Sequence, residues 1–186
     1  MTRVVDGVEV PAPGVYGFDP AHTQIGFVVR HMMVAKVRGR FTKFDGRVVI
    51  GEDPSESSVE VTIEAASIDT REETRDNHLR SADFFDAENF PSLTYTSTKV
   101  AHAGKNRWTV DGDLTIHGVT RSVPLEVEFE GGVKDPYGNL KIGFSAEGEV
   151  EREEFGLLWN VALEAGGWVV AKTVKLEIEA ELLKQS

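Results

Sequence analysis

Along the stretch VKLEIEAELL apolar and charged residues alternate one for one, and this period of two constrains the chain more than any other feature. Val174, Leu176, Ile178 and Ala180 fall on one face and Glu177, Glu179 and Glu181 on the other, as on a strand with one dry and one wet side. VEVTIEAAS repeats it with Val59, Val61, Ile63 and Ala65 against Glu60, Thr62 and Glu64. VPLEVEFE sets Val123, Leu125, Val127 and Phe129 against Glu126, Glu128 and Glu130, and FSAEGEVE sets Phe144, Ala146, Gly148 and Val150 against Glu147 and Glu149. Weaker alternation marks HTQIGFVVRH, FTKFDGRVVI, SLTYTSTKV and WTVDGDLTIHG, which brings the total to eight segments. Turn signals separate them, among them Asp45-Gly46, Gly131-Gly132 and Pro136-Tyr137-Gly138-Asn139. No strand–helix–strand rhythm appears, so the expectation is an all-β antiparallel barrel or sandwich. Residues 1–14 carry two prolines and little pattern and read as an N-terminal arm or tail, leaving 15–186 as a single barrel domain.

The outward glutamates explain the formal charge of −11. They read as solubilising side chains rather than as an acid–base pair, because perturbed carboxylates need burial that these positions lack. That charge argues against nucleic acid, which needs a concentrated basic face, and against adhesion to an anionic membrane through polybasic segments. There is no cysteine, so disulfides and thiolate chemistry are excluded. The N-terminal sequence has no signal-peptide core, and no stretch approaches the roughly 20 apolar residues of a membrane span. A soluble, cytoplasmic protein is expected, not an integral membrane one.

One stretch breaks the alternation. Thr70-Arg71-Glu72-Glu73 fits a capping box with Thr70 at the N-cap and Glu73 at N3, and Leu79, Phe84 and Phe85 supply apolar side chains before Pro91. A short amphipathic helix between two barrel strands belongs across an open end, and His31 to Val37 reads as a second short non-strand segment nearby. The chemical alternative is that Asp76 and His78 form an acid–base pair, or ligate a metal with His22, His31 and His117. Side chains two apart on a helix diverge, however, and no HxH, HxxxH or HExxH spacing occurs. Arg75 and Asp76 read instead as ties from the helix to neighbouring strands, and neither a metal nor a cofactor is expected.

The runs DPAHTQIGFVVRHMMVAKVRGRF, SIDTREETRDNHLRSADFFDAENFPSLTYTST, WTVDGDLTIHGVTRSVPL and REEFGL together resemble the YceI-like family, over nearly the whole chain from Tyr16 onward. The resemblance implies an extended, eight-stranded antiparallel lipocalin-like barrel with one or two short helices. It further implies a pore that binds a long apolar chain, typically a polyisoprenoid such as an isoprenoid quinone or a polyprenyl diphosphate.

A small barrel either fills its interior or keeps a cavity for one ligand. Alternation turns Phe27, Val29, Val61, Ile63, Tyr95, Trp108, Val110, Leu114, Phe144, Val174 and Leu176 inward as candidate pore residues, with Phe84 and Phe85 from the helix. Small inward residues (Ala65, Gly112, Ala146, Gly148) are expected to leave room. In EFGLLWNVALEAGGWVV, Phe155, Leu157, Trp159 and Trp168 are core under a loop, the rim where a lipid enters, or a homodimer surface, and Phe155 and Trp159 join the candidate pore residues. A polar head group prefers a hydrated mouth, and His31, Arg40, Lys43, Arg75, Asn77, His78, Asn160 and Lys172 stand near strand or helix ends as candidates to meet it. Carriage or storage of a polyisoprenoid or other long-chain lipid is the favoured function. An enzyme acting on a bound lipid or small substrate is the alternative, but no convergent nucleophile, base and orienter is visible, so none is expected. A packed barrel serving as a scaffold is a third reading.

Overall fold

The computed structural model describes residues 2–185. Two short strands, β1 (Thr2–Val5) and β2 (Val8–Pro11), pair with each other around Asp6-Gly7. The rest of the sheet comprises β3 (Gly14–Phe18), β4 (Gln24–His31), β5 (Ala35–Phe41), β6 (Phe44–Ile50), β7 (Ser58–Glu64), β8 (Ile68–Asp69), β9 (Ser92–His102), β10 (Arg107–Ile116), β11 (Val119–Lys134), β12 (Leu140–Glu151) and β13 (Val170–Lys184). Between β8 and β9 lies the helix α1 (Glu73–Arg80).

Six of these strands form three bent pairs. β13 pairs with β4 along its first half and with β3 at its end, β5 and β6 pair with β4 and β3 in turn, and β8 and β7 pair with β5 and β6. Counted as continuous ribbons, β3–β4, β5–β6, β7–β8 and β9 to β13 make an eight-stranded antiparallel meander. The pairing of β12 with β13 closes it into a lipocalin-like barrel. These ribbons coincide with the eight alternating segments of the sequence. β3, which carries the fully buried Tyr16, β8 and the part of β5 before Phe41 are barrel strand that the alternation did not mark.

Where β13 passes from β4 to β3 its ladder lacks a partner, and the chain fills the gap with side chains. The Glu181 carbonyl accepts from the Asp19 amide at 2.8 Å and from the Thr23 hydroxyl at 3.1 Å, while the Glu181 amide donates to that hydroxyl at 3.2 Å. Lys141 of β12 crosses the same seam to the carboxylates of Glu181 (2.5 Å) and Asp19 (3.3 Å), and His22 lies 2.9 Å from Asp19. Asp19, His22 and Glu181 converge as metal ligands would, but the Lys141 ammonium already supplies the positive charge among them. The ring of His117 packs on Phe90 and that of His78 on Trp159, so these histidines serve separate places rather than one centre.

Local details differ from the sequence reading. The capping box does not form at Thr70: Arg71 has a positive φ, the helix starts two residues later, and Glu72 caps it by accepting from the amides of Thr74 and Arg75. Thr70 is buried and donates amide and hydroxyl to the buried carboxylate of Asp76, while Arg75 donates to the Thr70 hydroxyl and carbonyl. The polar ties expected of Arg75 and Asp76 are thus made with the strand end that precedes the helix. His31 to Val37 is not helical: it holds the turn from β4 into β5, and the strand resumes at Ala35. Residues 2–11 form a hairpin against one barrel end, with Val10 fully buried.

The seam at Asp19 carries a pH prediction. Hydrogen bonding to His22, supported by the Ala21 amide and Lys141 and opposed by desolvation, lowers the Asp19 carboxyl to about 2. A depressed carboxyl stabilises the fold above its unfolded value near 3.8 and loses that contribution as the pH falls towards 2. Asp19→Asn should lower stability at neutral pH by on the order of 1–2 kcal/mol and flatten the fall in stability below about pH 4. Urea denaturation across that range measures both, and parallel curves for the two proteins would contradict the role assigned to the seam.

Candidate functional site

The interior of the barrel is a cavity of about 320 Å³ that runs lengthwise. Val174 and Leu182, eight residues apart on β13, both line it, a span of roughly 26 Å at ~3.3 Å rise per residue. At one end the walls are Val10, Pro11, Ile50 and Pro54, beside the N-terminal hairpin. At the other they are Leu79, Phe84, Phe85, Phe155 and Leu157, contributed by α1 and the segments around it. Many inward side chains, including Phe144, Val174, Leu176 and Ile178, are only half-buried although they face inside, because they border open space rather than neighbours.

The structure puts fourteen of the fifteen sequence-assigned pore residues on this wall: Phe27, Val29, Val61, Ile63, Phe84, Phe85, Tyr95, Trp108, Val110, Leu114, Phe144, Phe155, Val174 and Leu176. Trp159 is the exception. It stands behind the wall, its ring 4.7 Å from His78 and 5.4 Å from Phe84, and so backs the plug rather than lining the pore. The small inward residues mostly do not create room. A Cβ on Gly112 would overlap the Tyr95 ring and one on Gly148 would meet Leu125, so these glycines yield space to larger neighbours. Ala65 is fully buried, and of the four only Ala146 borders the cavity.

Polar groups on the wall are few and engaged. The Tyr95 hydroxyl donates to the carbonyls of Val110 and Val123, both at 3.1 Å, and burial, with Asp111 and Asp113 nearby, pushes its pKa well above the usual tyrosine value. Arg152 is the one charged residue on the wall among the described residues. It is 5% exposed and has no carboxylate partner; its guanidinium donates to the carbonyls of Ala171, Leu157, Trp159 and Val170. Burial lowers its pKa from the ordinary arginine value, with Glu153 acting in the other direction. A guanidinium keeps its charge even so, and here four carbonyl dipoles carry it. Sequence reasoning missed this residue because in EREEF it sits among glutamates and reads as surface.

None of the eight head-group candidates borders the cavity. Arg40 pairs with Asp69 and Lys43 with Glu64 on the flank of the barrel. The other six gather at the end closed by α1. Arg75 and Asn77 lie on the helix, and His78 is 2.8 Å from Asp83. Asn160 bonds Val170, Lys172 pairs with Glu153, and His31 is paired across the sheet with Val170. Trp168 is half-exposed at the same end.

Residues 16–182 match the family described as YceI-like domain. Among curated proteins, a UPF0312 protein of Staphylococcus aureus (strain USA300) is 39% identical over 170 residues, covering 89% of this chain and 95% of its own. A Staphylococcus epidermidis UPF0312 protein is 40% identical over 169 residues with the same coverage. Among solved structures, Burkholderia cenocepacia BcnA superposes with a TM-score of 0.75 at 25% identity, over 88% of this chain and 98% of that one. The Campylobacter jejuni YceI protein gives 0.70 at 30% identity over 84% and 90%. A domain from Saccharophagus degradans described as polyisoprenoid-binding gives 0.63 at 14% identity over 94% and 100%, a likeness of fold. Identity of this level along nearly the full barrel settles the descent of the chain: it belongs to the YceI-like family.

Proposed function

We propose that this protein binds one long, methyl-branched apolar chain of the polyisoprenoid class in the barrel, and carries or stores it without chemical change. The observation that supports this most is the wall itself, continuous apolar side chain from Val10 at one end to Phe155 at the other. Such a surface has nothing to offer a polar substrate, whereas a long hydrocarbon gains about 25 cal/mol for each Å² it removes from water. The Saccharophagus degradans domain of the same fold is described as polyisoprenoid-binding, which agrees in ligand class. The engagement of Tyr95 and Arg152, whose donors are spent on backbone carbonyls, supports binding rather than catalysis. The polar head is assigned to the end closed by α1, where His31, Arg75, Asn77, His78, Asn160 and Lys172 surround the mouth and Arg152 adds a positive field. An isoprenoid quinone and a polyprenyl diphosphate both fit this arrangement.

Organic extraction of the purified protein followed by mass spectrometry should release a polyisoprenoid in near-stoichiometric amount. Ala146→Trp puts an indole into the middle of the cavity and should reduce binding by tenfold or more with an unchanged circular dichroism spectrum. Undiminished binding would mean that the chain lies elsewhere.

The head-group assignment has its own test. The double substitution His78→Gln with Lys172→Gln should weaken a polyprenyl diphosphate several-fold and leave a neutral quinone of equal chain length unaffected, as measured by quenching of Trp108 fluorescence. Equal losses for both ligands would remove these residues from the head-group site.

A further inference from the structure

Ten large hydrophobic side chains are notably exposed among the described residues, and six of them are Met32, Met33, Val34, Leu158, Val161 and Trp168. These six come from two segments that are joined to each other. The Met32 amide donates to the Val169 carbonyl at 2.8 Å, the Met33 sulfur packs on Gly167, and Val169 bonds back to Val161. The patch lies at the α1 end of the barrel, directly outside the cavity: Leu157 lines the wall while Leu158 faces out, and Val29 and Val170 line it beneath the turn.

The turn breaks a local rule. The two-residue hairpin tips use Asp6-Gly7 and His117-Gly118, where glycine takes one of the two positive φ values, whereas the tip between His31 and Ala35 has three residues. Met32 and Met33 both hold positive φ, at 50° and 62°, with no glycine, and Val34 beside them is 86% exposed. Unbranched apolar side chains in left-handed backbone cost stability.

Charge around the tip runs against the rest of the molecule. Residues 20–44 contain five lysines and arginines and no aspartate or glutamate, in a chain of net charge −11. Arg38, Arg40 and Lys43 are paired with Glu177, Asp69 and Glu64. Arg30 and Lys36, opposite one another in the register and nearest the tip, have no carboxylate within ion-pair distance among the described residues. The facing loop contributes a single acid, Glu164.

We infer that this end of the barrel docks on an anionic lipid surface, with the Met32–Val34 turn and the Leu158–Trp168 loop entering the interface and Arg30 and Lys36 meeting the lipid phosphates. A cationic collar around an apolar tip suits an anionic bilayer better than a symmetric contact with a second copy, where the Arg30 and Lys36 collar would face its own like charge, and it sets the cavity mouth against the membrane. The inference rests on the cargo reading above for its purpose but not for its test.

Vesicle flotation supplies that test, on protein stripped of lipid and on protein as purified. Phosphatidylcholine vesicles containing about one quarter phosphatidylglycerol should carry the wild type, and pure phosphatidylcholine vesicles should carry far less. Arg30→Gln with Lys36→Gln should lower binding to the anionic vesicles by about tenfold or more, and added salt should do the same. Met33→Asn with Val34→Asp should abolish it while leaving the melting temperature unchanged or higher, since asparagine accepts positive φ more readily than methionine. Absence of flotation, or flotation indifferent to both double variants, overturns the inference. So does a wild-type dimer in analytical ultracentrifugation that Val34→Asp dissociates, with no vesicle binding. Vesicle binding in a protein that yields no lipid on extraction would refute the cargo reading and leave the docking surface standing.

Discussion

Everything in this structure depends on β13 having no free edge. Its fifteen residues pair with β12 on one side and with β4 and then β3 on the other, so the sheet returns upon itself. Closure satisfies the backbone polar groups in the ladder, and an interior so enclosed takes its polarity from side chains alone. Because side chains alternate strictly along a strand, one choice of register decides the chemistry of the whole interior. The seam at Asp19, Thr23, Lys141 and Glu181 matters for that reason. It joins two strands that share one partner, and a slip there would turn Leu176 and Ile178 outward and Glu177 and Glu179 in.

Closure alone does not produce a cavity. Eight strands of this size can be filled, and part of this barrel is: Tyr16, Phe129, Ile142 and Leu182 form a packed cluster, and Tyr95 and Leu125 occupy the space given up by Gly112 and Gly148. The open space persists between the remaining inward side chains, which do not reach across, with Ala146 and Ala180 on β12 and β13 reaching least. Apolar walls around such a space retain an unmet tendency to leave water, and that tendency is the source of affinity for a hydrocarbon. The cavity is thus the portion of the hydrophobic core that the chain leaves unfilled.

The barrel was legible because its signal is local and repeated. Glutamates at 177, 179 and 181 fix the direction of Val174, Leu176 and Ile178 with no knowledge of partners, and the same holds for β7, β11 and β12. The weaker β4 and β9 were still read correctly, since Phe27 and Tyr95 alternate with smaller or polar residues. What escaped depends on contacts distant in sequence. Thr70 looked like a helix cap, but Asp76 binds it in place and a positive φ at Arg71 precedes the actual cap, Glu72. Trp159 looked like a pore residue, but the loop that carries it is clamped by Arg152 and directs the ring to His78 and Phe84. Arg152 itself gave no sign, because burial of an arginine by four carbonyls is a property of the folded loop and leaves no periodic mark. The head-group candidates were chosen for standing at element ends, and most of them share one end, but which atoms meet a ligand is a matter of angles that no spacing encodes.

The two ends of the barrel are built on different principles. The N-terminal hairpin covers one end with ordinary material: a strand pair, an Asp-Gly turn and the buried Val10. At the other end the local rules fail together. A charged arginine is buried without a counter-ion, a helix is tied down by a buried aspartate, two methionines hold left-handed backbone, and exposed apolar residues gather beside unpaired cations. Each of these costs stability, and evolution removes such costs where nothing opposes it. The opposite end has exposed apolar side chains of its own, Val4, Val15, Val133 and Tyr137, but among the described residues the buried Arg152 and the glycine-free left-handed Met32-Met33 turn stand at the α1 end alone.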